Sequence, residues 1–160
     1  MKQESREFPV YARDGSRILA GISDDPAPNA VALARSVHGF PVAAAIRLKP
    51  PTGRYNCHGL VFASRRAHIP PVDVDLDVDD LLRRDGFGVL PKGEKPCVGD
   101  VVAYRIDGEI EHTGFVSRVE SIGDTPVVFI WSAWGVLGEF EHRVQVSPYK
   151  GTPEYWRLKC

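Results

Sequence analysis

Up to about residue 97 the apolar positions of this chain fall in short clusters broken by Pro and Gly. From residue 98 onward they alternate with polar positions or run together, as strand residues do. The segment 98–106 is built around Val101-Val102-Ala103-Tyr104, and 110–119 alternates. The run 126–133 is apolar and aromatic, 139–146 alternates again, and 155–158 closes the series as a fifth predicted strand. Asp107-Gly108 and Gly123-Asp124 are short turns, which make the strands they join antiparallel. Earlier in the chain, two short strands within 8–22 flank Asp14-Gly15 as a hairpin. A helix over about 29–37 starts at Asn29, read as its cap, and continues through Ala30-Val31-Ala32-Leu33-Ala34.

A second helix is predicted over 57–67, turning Leu60, Val61, Ala63 and Ser64 inward, with Arg65-Arg66 as a solvated end and Pro70-Pro71 as its stop. A third, short helix lies within 77–84, acids first and bases last, the order that suits a helix dipole. The expected fold is α+β in one domain over 1–160: an N-terminal extension of hairpin and helix through residue 50, then a core over 51–160. In that core a helix packs on an antiparallel sheet of about five strands.

Composition narrows the function classes. With 26% charged residues and a formal net charge of −1, the chain lacks the basic excess expected of nucleic-acid or membrane-surface binding. No apolar run reaches membrane-spanning length, and residues 1–7 are too charged for a signal peptide. The expectation is a soluble chain made in the cytoplasm, which needs a specialised secretion route for any action outside the cell. Cys57, Cys97 and Cys160 form an odd set with no Cys-x-x-Cys pair, so neither a disulfide framework nor a zinc site is implied. Asp73, Asp75, Asp77 and Asp79 recur at every second position but lack the glycine turn and terminal glutamate of a calcium loop; they read as a solvated surface.

The chemistry centres on Tyr55-Asn56-Cys57-His58-Gly59. Cys57 follows the turn-forming Pro50-Pro51-Thr52-Gly53 and opens a helix. A sulfur there faces unpaired backbone N–H groups and the positive end of the dipole; both favour thiolate, and the same N–H groups can hold an oxyanion. His112, near the start of a strand, is the candidate base, and Gly114 on the same face leaves room beside its imidazole. Ser132, on the next strand, is the candidate for orienting that ring, with Glu139, Glu141 and His142 as alternatives. His58 is directed about 100° away from Cys57 on a helix and is set aside as base.

Asn56-Cys57-His58-Gly59, then Val98-Gly99-Asp100-Val101-Val102-Ala103-Tyr104, then His112-Thr113-Gly114-Phe115-Val116 together resemble the NlpC-type and CHAP-type cysteine peptidases and amidases of the papain-like superfamily. The resemblance spans roughly residues 50–135. It implies hydrolysis of an amide or isopeptide bond, often in peptidoglycan peptides, with Cys57 as nucleophile, His112 as base, Ser132 in the third position, and no metal or organic cofactor. That third position is commonly His, Asn, Gln or Glu, so Ser132 departs from the pattern. The resemblance and the missing export signal lead to a secreted effector or toxin countered by a cognate inhibitor. Deamidation or acyl transfer on an intracellular protein or small amide is the alternative, as is a non-catalytic binding module on the same scaffold.

Overall fold

A computed structural model of the chain describes residues 6–7, 9–37, 39–70, 72–73 and 76–159. Its elements are β1 (Arg6–Glu7), β2 (Val10–Tyr11), β3 (Arg17–Ile18), β4 (Gly21–Ile22), α1 (Pro28–Val37), β5 (Ala45–Lys49) and α2 (Cys57–Phe62). They continue with β6 (Val72–Asp73), β7 (Leu76–Asp77), α3 (Val78–Arg84), β8 (Phe87–Val89), β9 (Val101–Ile106), β10 (Glu109–Ile122), β11 (Thr125–Ala133), β12 (Glu139–Arg143) and β13 (Thr152–Leu158). The fold is α+β. Strands are ordered β5-β12-β11-β10-β9-β13-β8 in one antiparallel sheet, and three two-stranded sheets lie outside it.

The main sheet thus has seven strands where the hydropathy pattern predicts five. The five expected strands are present, and β5 and β8 are added at the two edges. Neither carries a readable burial signal: β8 is three residues long, and four of the five residues of β5 are exposed on one face or the other. The hairpin around Asp14-Gly15 forms as β2 and β3. Asp107 and Gly108 both take positive φ, +50° and +93°, the conformation a two-residue hairpin loop requires.

The two faces of the sheet are packed differently. Phe62 and Ala63 at the end of α2, and Leu81 and Leu82 of α3, pack with Val101, Ala103 and Trp156 on one face. Val102, Tyr104, Val116, Val128 and Ile130 form the core of the other. That second face is concave. The Tyr104 hydroxyl on β9 donates to the Val144 carbonyl just past β12 at 3.0 Å, yet three strand spacings in a flat sheet amount to about 14 Å, farther than a tyrosine reaches.

Helix α2 ends at Phe62, earlier than predicted. Ala63 caps it, and Ser64 and Arg65 take left-handed φ values of +48° and +66° that reverse the chain. The reversal brings Ala67 onto Gly59, where a Cβ would lie 1.7 Å from the Ala67 carbonyl oxygen; only glycine allows that approach. Asn29 falls inside α1, where its Oδ1 accepts from the Ala30 N–H. Asp77 caps α3 by accepting from the Asp80 N–H, and Asp79 pairs with Arg105. Asp75, the side chain of Asp73, and Cys160 lie outside the described residues.

Candidate functional site

Cys57 is the first residue of α2, and the side chain that starts the helix belongs to Asn56. Its Oδ1 accepts from the Gly59 N–H at 2.8 Å and from the Ile69 N–H at 3.1 Å, while its amide donates to the Ile69 carbonyl. One residue therefore caps the helix and ties it to the returning chain. The Cys57 thiol is buried against β10. N–H groups of Thr113, His58 and Cys57 itself, with the Thr113 hydroxyl, favour its thiolate. Burial outweighs them and pushes the thiol up to about 11. At neutral pH the resting group is S–H, not the thiolate its helix position suggests.

His112 stands directly opposite Tyr104 in the β9–β10 ladder, so it belongs to the concave face. Its neighbour Thr113 stands opposite Ala103 and faces α2, where its hydroxyl lies 2.9 Å from His58 Nδ1. The imidazole has no exposed surface, stacks under the Tyr149 ring (centroids 3.9 Å apart, planes 11° apart), and meets Tyr104 at 5.6 Å. Neither ring nitrogen has a hydrogen-bond partner among the described residues. Burial, then the nearby His58 and His142, hold the ring neutral, well below the ordinary imidazole range. No hydrogen bond joins it to Cys57. The link runs through Thr113 along the strand and through Tyr149, whose phenol is raised first by burial and then by the Cys57 charge.

Ser132 shares the His112 face but is not bonded to it. His142 Nδ1 lies 2.8 Å from the Arg143 carbonyl, which can only accept, so that nitrogen carries the proton. Nε2 is then the acceptor for the Ser132 hydroxyl at 2.9 Å, and Ser132 in turn accepts from Trp134 Nε1 at 3.0 Å. Its single proton is spent on His142. Burial holds His142 neutral, lowered to about 4. Glu141 pairs with Arg118, and Glu139 binds Tyr55, Arg65 and Trp131. The four residues read as possible orienters of His112 all have other partners.

Gly114 has a different reason from the one expected. It is on the His112 face, but a Cβ there would lie 2.8 Å from the Trp131 carbonyl oxygen and 2.9 Å from the Ser132 Cβ; its absence lets β11 close on β10. Sequence reasoning missed Thr113, Tyr149 and Arg65. Thr113 lies inside the His112-Thr113-Gly114 motif, Tyr149 carries no local signal, and the charge pattern of Arg65-Arg66 is that of a solvated helix end. Beside the entry to α2 a cavity of about 200 Å³ is lined by Asp24, Pro26, Thr52, Tyr55, Asn56 and His68. No group of three or more His, Cys, Asp or Glu among the described residues is placed to hold a metal, and no described helix is long and apolar enough to cross a membrane. Comparison of the chain with protein-family models, curated proteins and solved structures gives no significant match.

Proposed function

We propose that the chain is a cysteine hydrolase of papain-like type that cleaves an amide bond, with Cys57 as nucleophile and His112 as base. One observation carries the reading. A wholly buried imidazole with both nitrogens unpaired among the described residues lies one residue along the strand from the Thr113 N–H that faces the thiol. A buried polar group left unbonded costs stability, so such a ring calls for a role outside the resting fold.

The resting pair is neutral on both sides. Attack therefore couples two events: the sulfur bonds to the substrate carbonyl carbon while its proton passes to His112, directly or through one water. The N–H groups at the start of α2 hold the resulting oxyanion. Collapse expels the amine, which takes the proton from His112; water then cleaves the acyl-sulfur bond and restores the thiol. The two side chains rest on opposite faces of the sheet, so the reading requires the free protein to visit a rearranged β10 in which the imidazole reaches the sulfur, a conformation that substrate then selects. The cavity lined by Tyr55 and Asn56, the two residues before Cys57, is the candidate place for part of the substrate, although Cys57 itself does not line it. A cell-wall peptide is the first substrate class to try. Export by a specialised apparatus and a cognate inhibitor belong to the same reading.

The test uses thiol modification against pH. Iodoacetamide should modify Cys57 near pH 7 despite its burial and its raised thiol, and His112→Ala should slow that step by about a hundredfold, the lower scale of general-base catalysis. Modification only in the alkaline range, unchanged by His112→Ala, would sink the pair. Mass analysis of fragments released from purified peptidoglycan by wild type and Cys57→Ala then tests the substrate.

A non-catalytic binding module is the second reading, favoured by the raised thiol and by the Tyr149 ring lying across His112. Under it, Cys57→Ala leaves the biological effect intact.

A further inference from the structure

The geometry points to Glu139 as the positioning residue of the nucleophile: its carboxylate clamps α2 at both ends and sets where the Cys57 sulfur stands relative to His112. This rests on the cysteine-hydrolase reading above. Glu139 is fully buried on the first residue of β12. Its Oε1 accepts from the Tyr55 hydroxyl at 2.5 Å and from Arg65 Nε at 2.6 Å. Its Oε2 accepts from Trp131 Nε1 at 2.6 Å and from Arg65 Nη2 at 3.4 Å. Four donors meet the roughly four lone-pair sites that a carboxylate offers.

The donors come from three places. Tyr55 lies two residues before Cys57, Arg65 lies three residues past the end of α2, and Trp131 lies on β11 of the sheet beneath. One carboxylate therefore fastens the entry and the exit of the nucleophile helix to the sheet that carries His112. Arg65 reaches it from a left-handed backbone that L side chains rarely adopt, and its guanidinium lies over the Trp131 ring at 4.4 Å. Burying a paired charge seldom adds stability over an apolar packing of the same volume. A fork of fixed hydrogen bonds does fix geometry, and α2, at six residues, is too short to hold its own direction.

The experiment uses the full chain with Cys97→Ser and Cys160→Ser, which leaves Cys57 as the sole thiol, and measures its rate of reaction with iodoacetamide from pH 5 to 9. Glu139→Gln keeps the side chain's shape but discharges the clamp. The expected result is a fall of about ten- to a hundredfold near pH 7, the scale on which a misplacement of about 1 Å acts. In a His112→Ala background Glu139→Gln should change the rate little, because the interaction it tunes is already gone. A merely structural role gives the opposite: the same factor in both backgrounds, at every pH. That result, or no change in either background, overturns the proposal while leaving the Cys57–His112 pair intact. If His112→Ala alone does not slow Cys57, the hydrolase reading itself fails. Should Glu139→Gln not fold, Tyr55→Phe removes one donor at the helix entry and is read in the same way, with a smaller fall expected and the same dependence on His112.

Discussion

Asn56 shows how much of the site depends on one side chain. It satisfies the Gly59 N–H at the start of α2 and both backbone groups of Ile69. Asn56→Ala should remove a cap worth about 1 kcal/mol and strand two further backbone groups, for a total loss of about 2–3 kcal/mol in urea denaturation. Asn56→Asp keeps the two acceptor bonds but sets a carboxylate oxygen against the Ile69 carbonyl in place of the donor, so it should recover the capping part alone, about 1 kcal/mol; full wild-type stability in that variant would contradict this account. Arg65 makes a sharper case. Its removal leaves Glu139 charged and buried with no cation beside it, and Arg65→Ala should cost about 3 kcal/mol or more. A solvated arginine at a helix end would cost a few tenths, so the same measurement separates the two descriptions of this residue.

At the scale of elements, the segment joining β12 to β13 carries Tyr149 onto the His112 ring. Burial is the first cause of the depressed imidazole, so Tyr149→Ala should let water in and move the His112 titration upward, toward the ordinary value of about 6.5, as followed by NMR of its ring protons. The same variant should raise the rate of Cys57 modification several-fold; an unmoved titration would mean that the sheet, not Tyr149, keeps the ring dry. This contact also marks the limit of what the chain alone discloses. Strands β9 to β13 were legible because alternation and the Asp107-Gly108 turn are local, as was His112 as a residue of a strand. β5 was not, since both its faces meet water. The early end of α2 was not either: Ser64 and Arg65 reverse the chain toward Glu139, 74 residues away from Arg65, a contact no local pattern encodes. Cys57 could be placed at a helix start from its neighbours, but the burial that holds it as a thiol comes from packing against β10.

Over the whole molecule, three histidines, His58, His112 and His142, are buried as neutral rings around β10 to β12. Burial lowers His58 to about 3 and His142 to about 4, and carries His112 well below its ordinary value. An imidazole depressed in the folded state binds fewer protons there than in the unfolded chain, so unfolding takes up protons as pH falls. The stability this neutral burial allows is therefore present above about pH 6.5 and is lost as pH drops through the folded values. Each histidine contributes at most about 1.4 kcal/mol per pH unit, and three together approach about 4 kcal/mol per unit near pH 5, above the range where most carboxylates titrate. Urea midpoints measured from pH 7.5 to 5 should fall steeply. In His142→Gln the slope should be shallower by about a third, even though the variant loses the Ser132 bond and starts from lower stability at pH 7.5. An unchanged slope in that variant would show that His142 is not among the groups whose protonation unfolds the chain. The same linkage shapes any pH profile of activity: His112 stays neutral and able to accept a proton throughout the folded range, so the acid limb should track loss of the fold rather than titration of the base.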